Sequence, residues 1–267
     1  MSATHVAVGV DATPDGWVAV RMRDHEYRRV DRYADDDAAV SAFRDLWTEH
    51  ADADVILVDA PIGLPDDMAA RAPEREARDR LGARSRSVFN VPIRPILDVE
   101  PYADANALQK DREQDGRGLT KQTYNIVPRI REVDELLGAS DVDATQDVVR
   151  ESHPEVCFWA LNDEIPMAYS KTGQPAAAHW ERVGVLASVH ANDPVHADED
   201  AFHDALATAG RELLGWDAPA LSNDDLLDAF ALAVTGSTLT GSLRTLPDEP
   251  VTDDRGRRME MVYATPP

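Results

Sequence analysis

Four aspartates in this chain stand where their side chains can gather. Asp11 ends the apolar run of HVAVGVDA, Asp59 ends ILVDAP, and Asp225 and Asp228 lie three positions apart in SNDDLLDAFALAV. Aspartates that terminate inner parallel strands emerge on one edge of a sheet, where the ligand sites of open α/β folds collect. Residues three apart on a helix share a face. Such a cluster would repel itself without a cation. Hard carboxylate oxygens suit Mg²⁺ or Mn²⁺, which keep open positions for water and phosphate oxygens. Two such ions can activate a water and stabilise the leaving oxygen of a phosphodiester.

Each acid also has a structural explanation. Asp11 could cap the turn at Pro14-Asp15-Gly16. Ser222 is a natural N-cap with Asp225 as its capping-box partner, and the helix dipole accounts for Asp224 and Asp225. Asp228 escapes this explanation. Its neighbours Leu227, Phe230, Ala231 and Val234 are apolar, so its carboxylate needs a cationic partner to sit there cheaply.

The elements that must position these acids can be read from periodicity. His5–Val10 is rich in β-branched residues, Trp17–Met22 alternates, and EYRRVDRY alternates again, giving three strands in a meander. Asp36–His50 has Val40, Phe43, Leu46 and Trp47 at helical spacing, and DVILVDAP then reads as a strand buried on both faces. From Ile62 to about Ala144 the chain turns to Arg-rich helical stretches and loops. TQDVVRESHPEV reads as a further strand ending near Ser152-His153, with a helix starting at Pro154. Further helices are expected over Ala176–His190, Glu199–Leu214 and Asp224–Leu239, with GRRMEMVYATP a last strand or extended segment. The pattern predicts an α/β protein, one domain over residues 1–267 with a helical insertion at about 62–144 after the fourth strand.

Composition narrows the setting. The 50 acidic residues outnumber 27 basic ones, for a net charge of -23, and lysine occurs only at Lys110, Lys121 and Lys171. Acid excess with scarce lysine fits adaptation to a cytoplasm at molar salt. The blocks Asp35-Asp36-Asp37, Asp66-Asp67 and Asp253-Asp254 then read as hydrated surface. A hydrophobic content of 43% argues against disorder. At about 1 M salt the Debye length falls to about 3 Å, so net charge does not exclude a polyanionic substrate. The single cysteine, Cys157, excludes an intrachain disulfide and reads as core filler. No signal peptide or membrane span is evident, so the expected location is cytoplasmic, with no membrane partner. A homodimer is compatible with the sequence, which does not fix the oligomeric state.

Taken in order, GVDATPDGW, VDAPIGLP, RSRSVFNVPIR, GRGLTKQTYNIVPRIREVDELL, ESHPEVCFWAL and DDLLDAFALAVTG resemble the domain of unknown function 429 family. That resemblance implies a predicted nuclease with a ribonuclease H-like fold: a five-stranded mixed sheet, its first three strands antiparallel, flanked by helices. It implies metal-binding carboxylates at Asp11, Asp59 and Asp228, the last similar to the final Asp-Ala of Holliday-junction resolvases. Asp225 matches an extra acid one turn earlier in those enzymes, and Glu155 lies in the conspicuous family motif HPEV. Relatives commonly carry Gly-Cys-Arg-Gly-Gly-Trp in the first turn, where this chain has ATPDGW.

Substrate contacts are expected from the insertion. Seven arginines fall between Arg71 and Arg94, of which Arg75 and Arg78 read as partners of Glu74, Glu76 and Asp79 along a helix. Arg84 and Arg86 have no acid nearby and alternate with serines before Phe89, as a phosphate-binding segment would. Lys121 and Gln122, beside Tyr124, form a polar-aromatic patch, and His153 is a candidate proton carrier. The alternating Met259 and Met261 read as core. The expected activity is divalent-metal-dependent hydrolysis of nucleic acid, DNA or RNA. An actin-like ATP-dependent phosphotransferase shares the strand-turn-strand with a terminal aspartate, but no later Gly-rich adenosine loop is present. A catalytically silent nucleic-acid-binding module would have no reason to keep three acids at strand and helix ends.

Overall fold

The computed structural model describes residues 4–34, 41–67, 71–112, 118–216 and 221–267. Three strands open the chain: β1 (Val6–Thr13), β2 (Gly16–Arg23) and β3 (Glu26–Ala34). The turn between the first two is held by Asp15, which accepts from Thr13 Oγ1 at 3.0 Å and from Arg32 at 2.5 Å. Asp11 is therefore not the turn cap; it lies inside the ladder, opposite Val18. Helix α1 (Ala42–His50) starts at Ser41, whose hydroxyl accepts from the Arg44 backbone N–H, and leads into β4 (Val55–Val58). The earlier part of the expected helix, and the acids Asp35, Asp36 and Asp37, lie outside the described residues.

Between β4 and the next strand run α2 (Ala72–Leu81), short 3-10 turns at Gly82–Ser87 and Arg94–Asp98, α3 (Tyr102–Arg112), α4 (Lys121–Asn125) and α5 (Val127–Gly138). Then come β5 (Val149–Glu151), α6 (Pro154–Leu161), α7 (Pro175–Ala191), α8 (Ala201–Leu213) and α9 (Asn223–Gly236). A hairpin of β6 (Arg244–Thr252) and β7 (Arg258–Tyr263) follows. The main sheet has the order β3-β2-β1-β4-β5, with β1, β4 and β5 parallel and the first three strands antiparallel. This is the mixed five-stranded sheet expected from the sequence, and it is consistent with a ribonuclease H-like arrangement. The β6–β7 hairpin is a separate small sheet, joined to the edge of the main one by a parallel bridge between Ser152 and Val262.

Side chains alternate across the sheet and feed two cores. Val8, Val10, Ile56 and Val58 pack with Phe43 and Leu46 of α1 and Val133 and Leu136 of α5. Glu132 of α5 fastens this layer from within, accepting from Trp17 Nε1 at 3.2 Å and from the Phe43 N–H at 2.9 Å. On the other face Ala7, Val18, Val20 and Leu57 pack against Phe158, Leu186, Phe202 and Phe230 of α6 to α9. Odd-numbered residues of β1 and β4 thus face α9, which places Asp11 and Asp59 on that side. Gly9 fixes how close α9 can come: a Cβ there would stand 2.1 Å from the Ala229 carbonyl oxygen and 2.2 Å from the Ala233 nitrogen. Only glycine admits this approach.

The acid block at Asp253-Asp254 departs from its surface reading. Asp253 is buried and accepts from the Leu64 N–H at 3.0 Å and from the Arg255 and Arg257 N–H groups at 2.9 Å, besides Arg94. Those donors hold its carboxyl below the usual range despite burial. It ties the insertion to the hairpin. Cys157 is fully buried core, as expected, and burial pushes its thiol up to about 11. Met261 is buried in the cluster of α2, α6 and the hairpin. Among the described residues no helix is long and apolar enough to cross a membrane.

Candidate active site

The parallel ladder sets the first two acids side by side: the Asp59 N–H donates to the Val10 carbonyl at 2.9 Å, continuing the β1–β4 pairing. The third comes from α9, brought onto β1 by the close approach at Gly9. Ser222 caps that helix, and the full capping box with Asp225 is present. Asp228, one turn deeper, is buried and projects into the same place as Asp11 and Asp59. Asp225 remains at the helix start, spending its carboxylate on the Ser222 N–H at 2.8 Å.

The electrostatics record the convergence. Burial, then the charges of Asp228, Asp59 and Asp225, hold the Asp11 carboxyl well above the ordinary carboxylate range. Burial pushes Asp228 up to about 6, in spite of a neighbouring ammonium. Asp225 is also raised, chiefly by burial. The ammonium is Lys171, in the loop between α6 and α7, whose Nζ donates to both carboxylate oxygens of Asp228, at 2.6 Å to Oδ1. Glu181 positions this loop by accepting from the Ala168 and Tyr169 N–H groups at 2.7 and 3.1 Å. Glu155, at the start of α6, is buried and pairs through Oε1 with the buried Arg182 of α7, whose Nε lies at 3.1 Å. Its Oε2 is buried with no hydrogen-bond partner.

These groups line one cleft of about 760 Å³. Asp11, Asp59, Asp228, Glu155 and Lys171 form its floor, and Arg84, Arg86, Phe89, Asn90 and Gln122 line it from the insertion. Arg84 and Arg86 make no ion pair among the described residues, and the Arg84 Nε is buried without a partner. His153 lines the cleft but is occupied: its Nδ1 accepts from the Glu155 N–H at 3.2 Å as the N-cap of α6, and Nε2 faces the Ser87 carbonyl at 3.4 Å. Both ring nitrogens are thus engaged, and the side chain joins α6 to the insertion. Lys121 is not among the lining residues; its ammonium lies 6.0 Å from the Tyr102 ring centroid. A second cleft of about 560 Å³ shares Ala12 and Ile126 with the first and continues along Tyr124 and Asn125.

Other arginines of the basic stretch do structural work. Arg78 binds the Val88 carbonyl and Asn90 rather than the acids of its own helix. Glu74 faces Arg71, which is buried between it and Glu151. Glu151 ends β5 opposite Val58, on the α1–α5 face, and accepts from Arg71 and the Ile62 N–H, each at 2.6 Å. Burial dominates there too, raising Glu151 to about 8. Arg94 is shared between Asp134 and Asp253.

Comparison with known families decides one point. A family model described as protein of unknown function (DUF429) matches residues 9–252. The chain belongs to the DUF429 family. No curated protein and no solved structure matches it. In this DUF429 protein the matched span contains every acid of the cleft floor, Lys171 and the arginine-bearing insertion. Lys171 and Arg182 were not singled out by sequence reasoning. A lone lysine in a loop carries no periodic signal, although the scarcity of lysine made this one of only three.

The donor chemistry of the floor suits a hard divalent cation: Asp11, Asp59 and Asp228 share one face and carry more negative charge than Lys171 balances. Yet among the described residues no group of three or more acids or histidines closes into a metal cage. Lys171 sits on both oxygens of Asp228.

Proposed function

We propose that this protein is a divalent-metal-dependent nuclease that hydrolyses phosphodiester bonds of DNA or RNA in the cytoplasm. The observation that carries this reading is one cleft with a carboxylate cluster on its floor that one lysine only partly offsets, and with Arg84 and Arg86 on its wall, which make no ion pair among the described residues. Asp11, Asp59 and Asp228 are the residues that would hold Mg²⁺ or Mn²⁺. The ion, when bound, would supply Lewis-acid activation of water and charge for a leaving oxygen.

The chain's own residues account for binding. Arg84 and Arg86 offer forked donors to phosphate oxygens, worth more in a cleft than on open surface. Phe89, 42% exposed at the cleft, offers a face for a base to stack on, and Asn90 and Gln122 offer amide donors and acceptors. The adjoining second cleft supports a substrate longer than one nucleotide. Asp225, held in the capping box, acts by shaping the start of α9 and adding negative charge near Asp11.

The test is hydrolysis of labelled single- and double-stranded oligonucleotides with Mn²⁺ or Mg²⁺ in molar KCl, comparing wild type with Asp11→Asn, Asp59→Asn and an Arg84→Ala/Arg86→Ala double variant. The aspartate variants should lose divalent-dependent hydrolysis by at least about 10²-fold, the scale of one lost electrostatic catalytic group. The arginine variant should bind all sequences more weakly by a similar factor, as lost phosphate contacts do. Undiminished cleavage in Asp11→Asn would refute the assignment.

A further inference from the structure

The lysine on Asp228 and the orphaned oxygen on Glu155 belong together. Lys171 donates to both oxygens of Asp228, so in this arrangement it fills the place a cation would take on that carboxylate. In the same cleft, Glu155 has one oxygen bonded to Arg182 while the other is buried without a partner. Burying an acceptor unmatched costs about 1–3 kcal/mol, more when it is charged, so a buried oxygen left free beside a functional cleft points to a catalytic or ion-binding role. Both carboxylates act on the Lys171 ammonium, Asp228 first and Glu155 next, so both lie within its electrostatic reach.

We propose that Lys171 is a displaceable counter-ion with two seats: Asp228 before a divalent cation arrives, and the unpartnered Oε2 of Glu155 once the cation has taken Asp228. The proposal rests on the metal-dependent reading above. It explains why acids of the right chemistry do not form a cage as they stand. It also explains how an acid-rich floor stays folded without metal, since one ammonium offsets one of its buried carboxylates. Glu181 grips Ala168 and Tyr169, and the Gln174 N–H donates to the Ser170 carbonyl at 2.8 Å, so the loop is fastened on both sides of Lys171. The flexible four-carbon stem of lysine is the moving part. Arg182 could not play this role, because it is buried and already bonded to Glu155 and to the Ala178 and Tyr169 carbonyls. On this account a metal ion must compete with a tethered cation, which lowers its apparent affinity. The displaced ammonium then stays beside the cleft.

Calorimetric Mn²⁺ titrations of the full chain in molar KCl test this, with no reliance on turnover. Lys171→Met should bind Mn²⁺ about tenfold or more tightly than wild type, because the competitor is gone. Glu155→Gln should bind it more weakly than wild type, because the displaced ammonium loses its second seat. The Lys171→Met/Glu155→Gln double variant should match Lys171→Met, since no ammonium remains to be rehoused. If Lys171→Met melts as an unfolded chain, Lys171→Gln takes its place. Equal or weaker Mn²⁺ binding by the Lys171 variant overturns the proposal while leaving the metal site standing. A double variant clearly weaker than Lys171→Met also overturns it, because Glu155 would then be ligating the metal itself. Absence of Mn²⁺ binding in both wild type and the folded Lys171 variant refutes the metal reading and this proposal together.

Discussion

At the scale of single residues, the carboxylate floor makes the fold work against its own charge. Asp11 holds its proton more tightly in the folded chain than in the unfolded one, because burial and then Asp228, Asp59 and Asp225 disfavour the anion. The sign follows from linkage. A carboxyl whose folded pKa is raised costs stability when ionised, and that cost disappears as pH falls from the folded value toward the unfolded one near 3.9. Asp228, pushed up to about 6, contributes in the same direction between about 4 and 6. Asp11→Asn, melted in chelator, should therefore be more stable than wild type at pH 7.5, with the difference shrinking as the pH is lowered to 4.5. A pH-independent difference would mean that the Asp11 charge is not strained. With divalent ions the order should reverse: wild type gains about 2.7 kcal/mol at a hundredfold excess over the dissociation constant, and the variant does not. Asp11, Asp59 and Asp228 were legible in the sequence because a polar residue ending an apolar strand, or interrupting an apolar helix face, breaks a pattern. Lys171 lies in a loop, which sets no expectation to violate, and Arg182 stands beside Glu181 in the middle of α7, where a charged pair reads as an exposed face. Asp253 was misread for a related reason: a buried acid satisfied by backbone N–H groups looks, in sequence, like any surface acid.

At the scale of elements, the site depends on α9 lying on β1 at a distance only glycine allows. Gly9→Ala would set a methyl carbon 2.1 Å from the Ala229 carbonyl oxygen, with backbone on both sides and no flexible side chain to yield. The helix must shift, at a cost of about 1–3 kcal/mol or more for overpacking. Asp228 shifts with it. Chemical denaturation should report the lost stability, and Mn²⁺ stabilisation should fall further than stability alone explains. Retention of the full metal effect in Gly9→Ala would show that the α9 approach does not set the site. Most of the framework was readable from local pattern: the meander, the buried fourth strand, and the helices after Pro154 and Ser222 all follow periodicity and caps. β6 was not. Its sequence RTLPDEPVT carries two prolines and little alternation, and it becomes a strand by pairing with β7, which tertiary packing against α2 holds in place.

For the molecule as a whole, the net charge of -23 is a standing repulsion that dilute buffer leaves unscreened. Many arginines are withdrawn from the surface: Arg71, Arg94, Arg129 and Arg182 are buried in ion pairs with acids. Raising KCl from 0.1 M to 1 M shortens the Debye length from about 10 Å to about 3 Å. The melting temperature should climb across that range, by about 2–4 °C for each kcal/mol of repulsion removed. A flat or falling melting curve would remove the case for adaptation to high salt. The route of the chain through this molecule has a further consequence. Asp11 enters from the first strand, while Asp228 arrives on a helix more than two hundred residues later, pressed against that same strand at Gly9. A ribosome that has released only the first two hundred residues has made both strand-end acids and the arginine wall, yet nothing able to complete the cluster. If the proposed hydrolysis needs all three acids, it waits for α9 to dock on β1. An arrested nascent chain ending before Asn223 should show no divalent-dependent stabilisation.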